Sequence, residues 1–210
     1  METKKKIINE RVIVYIDGFN LYFGMKQAGY DKLKWLDLYL LANNLLKDNQ
    51  RLFEVKYFTS RVSNNPEKQK RQSTFIEALE TKDVKIIYGN YQKGRIECKR
   101  CGNIWENYNE KMTDVNIASH MLIDAFQDRF DMAILISGDS DLVPPIKAIH
   151  SLFDQKRVIV AFPPHRHNAS VALIASSSFI IGRKKISDSQ LPDEVMKKDG
   201  YILHKPIEWL

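Results

Sequence analysis

The sequence predicts an α/β fold, a three-layer sandwich with a mostly parallel central sheet of about five strands and helices on both faces. Two observations carry this expectation. Short apolar, β-branched segments recur at 12–16, 52–59, 84–91, 132–137 and 157–162, and most stretches between them repeat apolar residues at helical spacing. Two of the segments run directly into carboxylates: Val-Ile-Val-Tyr-Ile-Asp-Gly-Phe-Asn at 12–20 and Ala-Ile-Leu-Ile-Ser-Gly-Asp-Ser-Asp at 133–141. In an open parallel sheet, ligands bind outside the carboxyl ends of the strands where strand order reverses. Asp17, Asp139 and Asp141 are therefore expected to face one crevice.

Each helix has its own justification. The stretch 66–82 opens on Pro66, whose fixed φ suits a first helical turn, and sets Phe75, Ile76 and Leu79 on one face. Over 114–128, Ala118, Met121, Leu122 and Ala125 follow the i, i+3, i+4, i+7 spacing, with Thr113 as the expected N-cap. Over 141–153, Leu142, Ile146, Ile149 and Phe153 form a third apolar face, and Pro144 and Pro145 are tolerated in its first turn. Residues 1–182 are read as one domain, with a Cys-x-x-Cys knuckle inserted near 93–108. Residues 183–210 form a polar tail, docked on the body or binding a partner. An exposed Trp209 and Leu210 would be unusual on a lone monomer, which favours docking.

The chain has 210 residues, 44% hydrophobic and 28% charged, the composition of an ordinary globular domain. No apolar run approaches the length of a membrane span. The basic start Met-Glu-Thr-Lys-Lys-Lys leads into a strand rather than a cleavable apolar segment, so a cytoplasmic location is expected. A net charge of +6 favours an anionic partner. Lys56, Arg61, Lys68, Lys70 and Arg71 form one basic run, and Lys93, Arg95, Lys99, Arg100 and Lys111 another. A solvated face is the ordinary reading of such runs, but a phosphate backbone would use them well where they flank the crevice.

A fourth carboxylate, Asp114, opens the 114–128 helix. A helix dipole favours an acid there in any protein. In a doubly wound sheet, however, this helix starts on the carboxyl side of the strands and hangs over the same crevice. Four crowded carboxylates repel, and a bound hard cation is the simplest way to keep them ionised. Mg²⁺ or Mn²⁺ on Asp17, Asp114, Asp139 and Asp141 would suit phosphodiester cleavage without a nucleophilic side chain. Asn20 and Ser137 are candidates to orient a carboxylate or a water, and Lys111, Arg61 and Ser140 to contact the substrate. Asn20 also suits a turn or cap, Ser137 a turn, and Lys111 plain surface.

Ile-Asp-Gly-Phe-Asn-Leu-Tyr-Phe (16–23), Glu-Lys-Met-Thr-Asp-Val-Asn (110–116) and Ser-Gly-Asp-Ser-Asp (137–141), in this order, resemble the NYN domain family of PIN-like nucleases, in particular its bacterial LabA-like branch, along roughly residues 10–180. The resemblance implies a PIN-like sandwich, a divalent-metal site at Asp17, Asp114, Asp139 and Asp141, and ribonuclease activity. The resulting expectation is a metal-dependent ribonuclease acting on single-stranded or looped RNA, with Phe19, Tyr22, Phe23 and Tyr91 as candidates to stack on unpaired bases. The alternative is an RNA-binding or regulatory module with little or no turnover. No Gly-x-x-x-x-Gly-Lys loop and no Gly-x-Gly-x-x-Gly follows the first strand, which argues against a nucleotide enzyme.

Cys98 and Cys101, the only cysteines, make half of a zinc site in Cys-Lys-Arg-Cys-Gly. Zn²⁺ shared across a homodimer, Zn²⁺ completed by His165 or His167, and two reduced thiols in a turn all stay open. Similar Cys-x-x-Cys-Gly runs in LabA-like proteins support a knuckle. His120 is read as a packed or surface residue. Pro-Pro-His-Arg-His-Asn follows the 157–162 strand at the same sheet edge, where binding loops cluster.

Overall fold

The computed structural model describes residues 9–62, 65–97 and 100–210, apart from the side chains of 90–97 and 105–111. Its centre is β1 (Glu10–Asp17). Alternate residues of β1 face opposite ways: Val12, Val14 and Ile16 enter one apolar core, Ile13 and Tyr15 the other. Burial on both faces explains why the strand reads as a continuous apolar run. The chain continues through α1 (Gly18–Gln27), α2 (Leu38–Asn44), β2 (Gln50–Thr59), α3 (Pro66–Glu80) and β3 (Val84–Tyr88). A ribbon of β4 (Asn90–Glu97) and β5 (Ile104–Lys111) leads into α4 (Thr113–Phe126) and β6 (Met132–Ile136). Then come α5 (Val143–Leu152), β7 (Arg157–Phe162), α6 (Ala169–Ile174) and β8 (Ser177–Ile180). The chain ends with α7 (Arg183–Ser187), β9 (Glu194–Met196) and β10 (Ile202–His204).

The large sheet has six strands in the order β3-β2-β1-β6-β7-β8. Every pairing in it is parallel. The chain winds outward from β1 through β2 to β3 and returns on the other side of β1 as β6. The order thus reverses between β1 and β6, and Asp17 and Asp139 lie at or just beyond the carboxyl ends of these two strands. Leu21 and Met25 of α1, Leu38 and Leu41 of α2 and Leu79 of α3 cover one face. Ile117 and Met121 of α4, Ile146 and Ile149 of α5 and Val171 of α6 cover the other. The sixth strand, β8, lies at an edge, and its Ser-Ser-Phe-Ile lacks the apolar run that marks the central strands.

Three expectations need correction. The 84–91 segment is not one strand: β3 ends at Tyr88, and an antiparallel ribbon follows that pairs Asn90 with Lys111 through Glu97 with Ile104, while Cys98 of the expected knuckle lies outside the described residues. Thr113 does not cap α4. It is the first helical residue, preceded by Met112 at φ 78°, a left-handed conformation that a bulky residue seldom adopts. Lys56 does not belong to a basic surface. Its side chain is 1% exposed, ion-paired to the equally buried Asp124 and 3.3 Å from Glu54. Asp124 also accepts from Tyr15 Oη at 2.7 Å and from Arg129 Nη1 at 2.7 Å, so a four-residue ionic knot with a phenol attached lies beneath α4. Its geometry satisfies what burial would otherwise make costly.

The tail packs on α3. Trp209, 8% exposed, meets Trp35 at 6.3 Å and Phe75 at 5.9 Å between ring centroids, and Arg71 of the first basic run ion-pairs Glu208. With Leu191, Val195 and Leu203 these residues make a third apolar cluster. Among the described residues no helix is long and apolar enough to cross a membrane.

Candidate metal and phosphate site

Asp17 ends β1 and begins α1. Its Oδ1 accepts the Asn20 backbone N–H at 3.0 Å, capping the helix, and its Oδ2 accepts Ser137 Oγ at 2.8 Å. Ser137 is fully buried just after β6, and its Oγ also accepts the Asp139 N–H at 3.1 Å. Asn20 Oδ1 reaches across to the Gly138 N–H at 3.0 Å. Asn20 and Ser137 thus tie the end of β1 to the turn after β6, and both carboxylates inherit fixed positions. Asp139 Oδ1 in turn accepts the Asp141 N–H at 2.9 Å, capping the short turn Ser140–Leu142.

The loop after β7 closes the site. A Cβ on Gly138 would overlap the Arg166 carbonyl oxygen, and one on Gly24 would lie 2.6 Å from the Pro164 oxygen. Both positions therefore require glycine for the loop to approach this closely. Asn168 Nδ2 donates to the Gly138 oxygen at 3.1 Å while its Oδ1 caps α6.

These elements enclose a cavity of about 200 Å³ lined by Asp17, Phe19, Asn20, Phe23, Met112, Thr113, Asp114, Asp139 and Arg166. Three of the four anticipated carboxylates line it. Asp141 is exposed on the turn beside it and adds its charge to the site. Burial first, then the negative charges of Asp17, Asp139 and Asp141, push the Asp114 carboxyl up to about 6. Oxygen donors carrying excess negative charge fit a hard divalent cation. Among the described residues, though, no group of three or more His, Cys, Asp or Glu is arranged to hold a metal ion.

The remaining expected residues are dispersed. Ser140 is exposed beside Asp139 and does not line the cavity. Arg61 lines a separate groove of about 400 Å³ with Gln72 and Tyr88, its guanidinium 4.9 Å from the Tyr88 ring centre. The Lys111 and Tyr91 side chains, and Cys98, lie outside the described residues. Cys101 is an exposed free thiol, so no zinc site at the cysteine pair is supported. Tyr22 is exposed next to Phe23. His165 and His167 are exposed, and the His167 ring rests on Phe162 at 4.9 Å. Sequence reasoning singled out the histidines of this loop and passed over Arg166. The signal for Arg166 was its place in the loop directly after a strand at the shared sheet edge.

Asp114 gives a pH-dependent prediction. A carboxyl raised in the folded chain contributes stability that is full below about pH 4 and lost as pH rises through about 6. In EDTA, Asp114→Asn should raise Tm by a few degrees at pH 7 and change it little at pH 4. A Tm difference of equal size at both pH values would refute the crowding account.

A curated relative is 6-hydroxy-3-succinoylpyridine 3-monooxygenase HspA of Pseudomonas putida (strain DSM 28022 / S16), 28% identical, covering 95% of this chain and 75% of that protein. Among solved structures, a protein of unknown function, VPA0982, from Vibrio parahaemolyticus RIMD 2210633 shares the fold. Its TM-score is 0.58 at 20% identity, over 87% of this chain and 98% of that one. The family model for the NYN domain matches residues 11–183, most of the chain and every element that lines the cavity. With carboxylates gathered where the order of a parallel sheet reverses, the chain belongs to the NYN domain family, within the PIN-like nuclease superfamily.

Proposed function

We propose that this chain is a divalent-metal-dependent ribonuclease of the LabA-like kind that hydrolyses phosphodiester bonds within single-stranded or looped RNA. The observation that carries the reading is the meeting of Asp17, Asp114 and Asp139, from three separate elements, in one cavity whose crowding raises Asp114. Folding alone does not call for such crowding, and an anionic substrate could not enter it without added positive charge. Asp17, Asp114, Asp139 and Asp141 are the residues that would hold Mg²⁺ or Mn²⁺. When bound, the ion supplies an activated water and neutralises the phosphate. Ser137 and Asn20 keep Asp17 and the Gly138 turn in register. Phe19 and Phe23, stacked at 6.1 Å, wall the cavity with rings suited to an unpaired base.

The name of the Pseudomonas relative raises monooxygenation as another activity. Against it, the α1 N-terminus, where a dinucleotide fold seats its pyrophosphate, is occupied here by the Asp17 carboxylate. A specific observation favours a second reading, an RNA-binding module with little turnover: the described carboxylates do not form a closed ligand group. Incubating labelled single-stranded RNA and its DNA counterpart in Mn²⁺, Mg²⁺ and EDTA separates the nuclease from the module. Internal cleavage of RNA in either metal, abolished by EDTA, is the expected result. RNA binding without cleavage would favour the module and overturn the nuclease.

A further inference from the structure

Arg166 is a cation in an acidic cavity that pairs with none of its carboxylates. It lines the cavity with Asp17, Asp114 and Asp139, yet makes no ion pair with any described carboxylate. Its Nε is buried with no hydrogen-bond partner. The fold therefore leaves hydrogen-bonding capacity of this guanidinium unused. The backbone that carries it is tightly fixed. The Arg166 N–H donates to the Pro163 oxygen at 3.0 Å, His165 before it takes φ 57°, and its carbonyl is wedged against Gly138. Gly138 precedes Asp139, so one contact sets the guanidinium's backbone against the carboxylate turn.

We infer that Arg166 is the phosphate-binding residue of this site, its guanidinium taking the non-bridging oxygens of the phosphodiester that enters beside Asp114 and Asp139. A planar guanidinium donates two parallel hydrogen bonds to a phosphate, which an ammonium cannot match. The aromatic wall of Phe19 and Phe23 then lies beside the same nucleotide. The assignment rests on the anionic-substrate part of the reading above, and not on catalytic turnover.

The test compares a labelled ten-nucleotide single-stranded RNA with the same oligomer bearing uncharged methylphosphonate linkages. Binding is read by anisotropy in Mn²⁺, and cleavage on the same samples. Wild type should prefer the phosphodiester oligomer by about tenfold to a hundredfold, the range for a hydrogen bond to a charged group. Arg166→Gln should lose most of that preference, Arg166→Lys should keep part of it, and Lys198→Gln, on the β9–β10 turn and not among the cavity-lining residues, should behave as wild type. Thermal melts confirm that each variant folds, and the lysine variant carries the test if the glutamine variant does not. Undiminished preference in the folded Arg166→Gln and Arg166→Lys variants overturns the assignment and leaves the nuclease reading standing. Arg166-dependent preference without cleavage by wild type overturns the nuclease and supports the assignment. No binding by wild type overturns both.

Discussion

Asp139→Asn should lower RNA cleavage by about a hundredfold to a thousandfold, the range seen when one preorganised electrostatic contact to a transition state is removed. The fold should survive the change. An asparagine Oδ1 can still accept the Asp141 N–H that Asp139 holds at 2.9 Å, and Asn is as good a cap as Asp. Removing one negative charge also relieves Asp114, whose pKa is raised by burial and by Asp17, Asp139 and Asp141, so Tm in EDTA should stay level or rise. Cleavage and thermal melts on protein purified in parallel check both halves. Full activity in the variant would remove Asp139 from the site, and a collapse in Tm would make its role structural.

The largest loss of stability should come from the other end of α4. Asp124→Ala leaves the Lys56 ammonium buried with Glu54 at 3.3 Å and the His120 ring at 3.5 Å, and strips Tyr15 Oη and Arg129 of an acceptor. Breaking one partner out of a buried ion pair costs about 3–5 kcal/mol, which lowers Tm by roughly 6–20 °C in a chain of this size. Burial pushes the Asp124 pKa up, but hydrogen bonds from Lys56 and Tyr15 and the charges of Lys56 and Arg129 outweigh it and hold it below the ordinary carboxylate value. Its stabilising share is thus present at neutral pH and lost as pH falls through that lowered value. Guanidinium unfolding of wild type and Asp124→Ala measures the difference. A loss below 1 kcal/mol would mean that Arg129 and solvent satisfy the remaining groups.

What could be read from sequence followed physical distinctness. Strands buried on both faces are continuous apolar runs, so β1, β6 and β7 announced themselves, as did α3, α4 and α5 with their single apolar faces. Edge strand β8, with two serines and an exposed Phe179, carries no such signal. The first helix, α1, buries two glycines alongside Leu21 and Met25, so its packing shows only when its neighbours are known. The carboxylates were legible because Asp17 and Asp139 follow apolar strands directly or almost so, even though each also caps the turn it opens. Lys56 was misread because its partner Asp124 lies 68 residues away, and local charge runs say nothing about such pairs. Arg166 was missed for a related reason: a lone arginine becomes informative only when the cavity around it is seen.

The β4–β5 ribbon is structurally independent of the sheet that carries the site. Its strands pair with each other and with no strand of the large sheet, and β5 hands the chain directly to Met112 and Asp114 at the cavity rim. A ribbon that satisfies its own backbone can lengthen, shorten or change composition without disturbing either apolar core, while staying anchored beside the acidic cavity. The ribbon and the packing that holds the carboxylates are thereby separable: a change in one alters what stands beside the acidic cavity without moving the other.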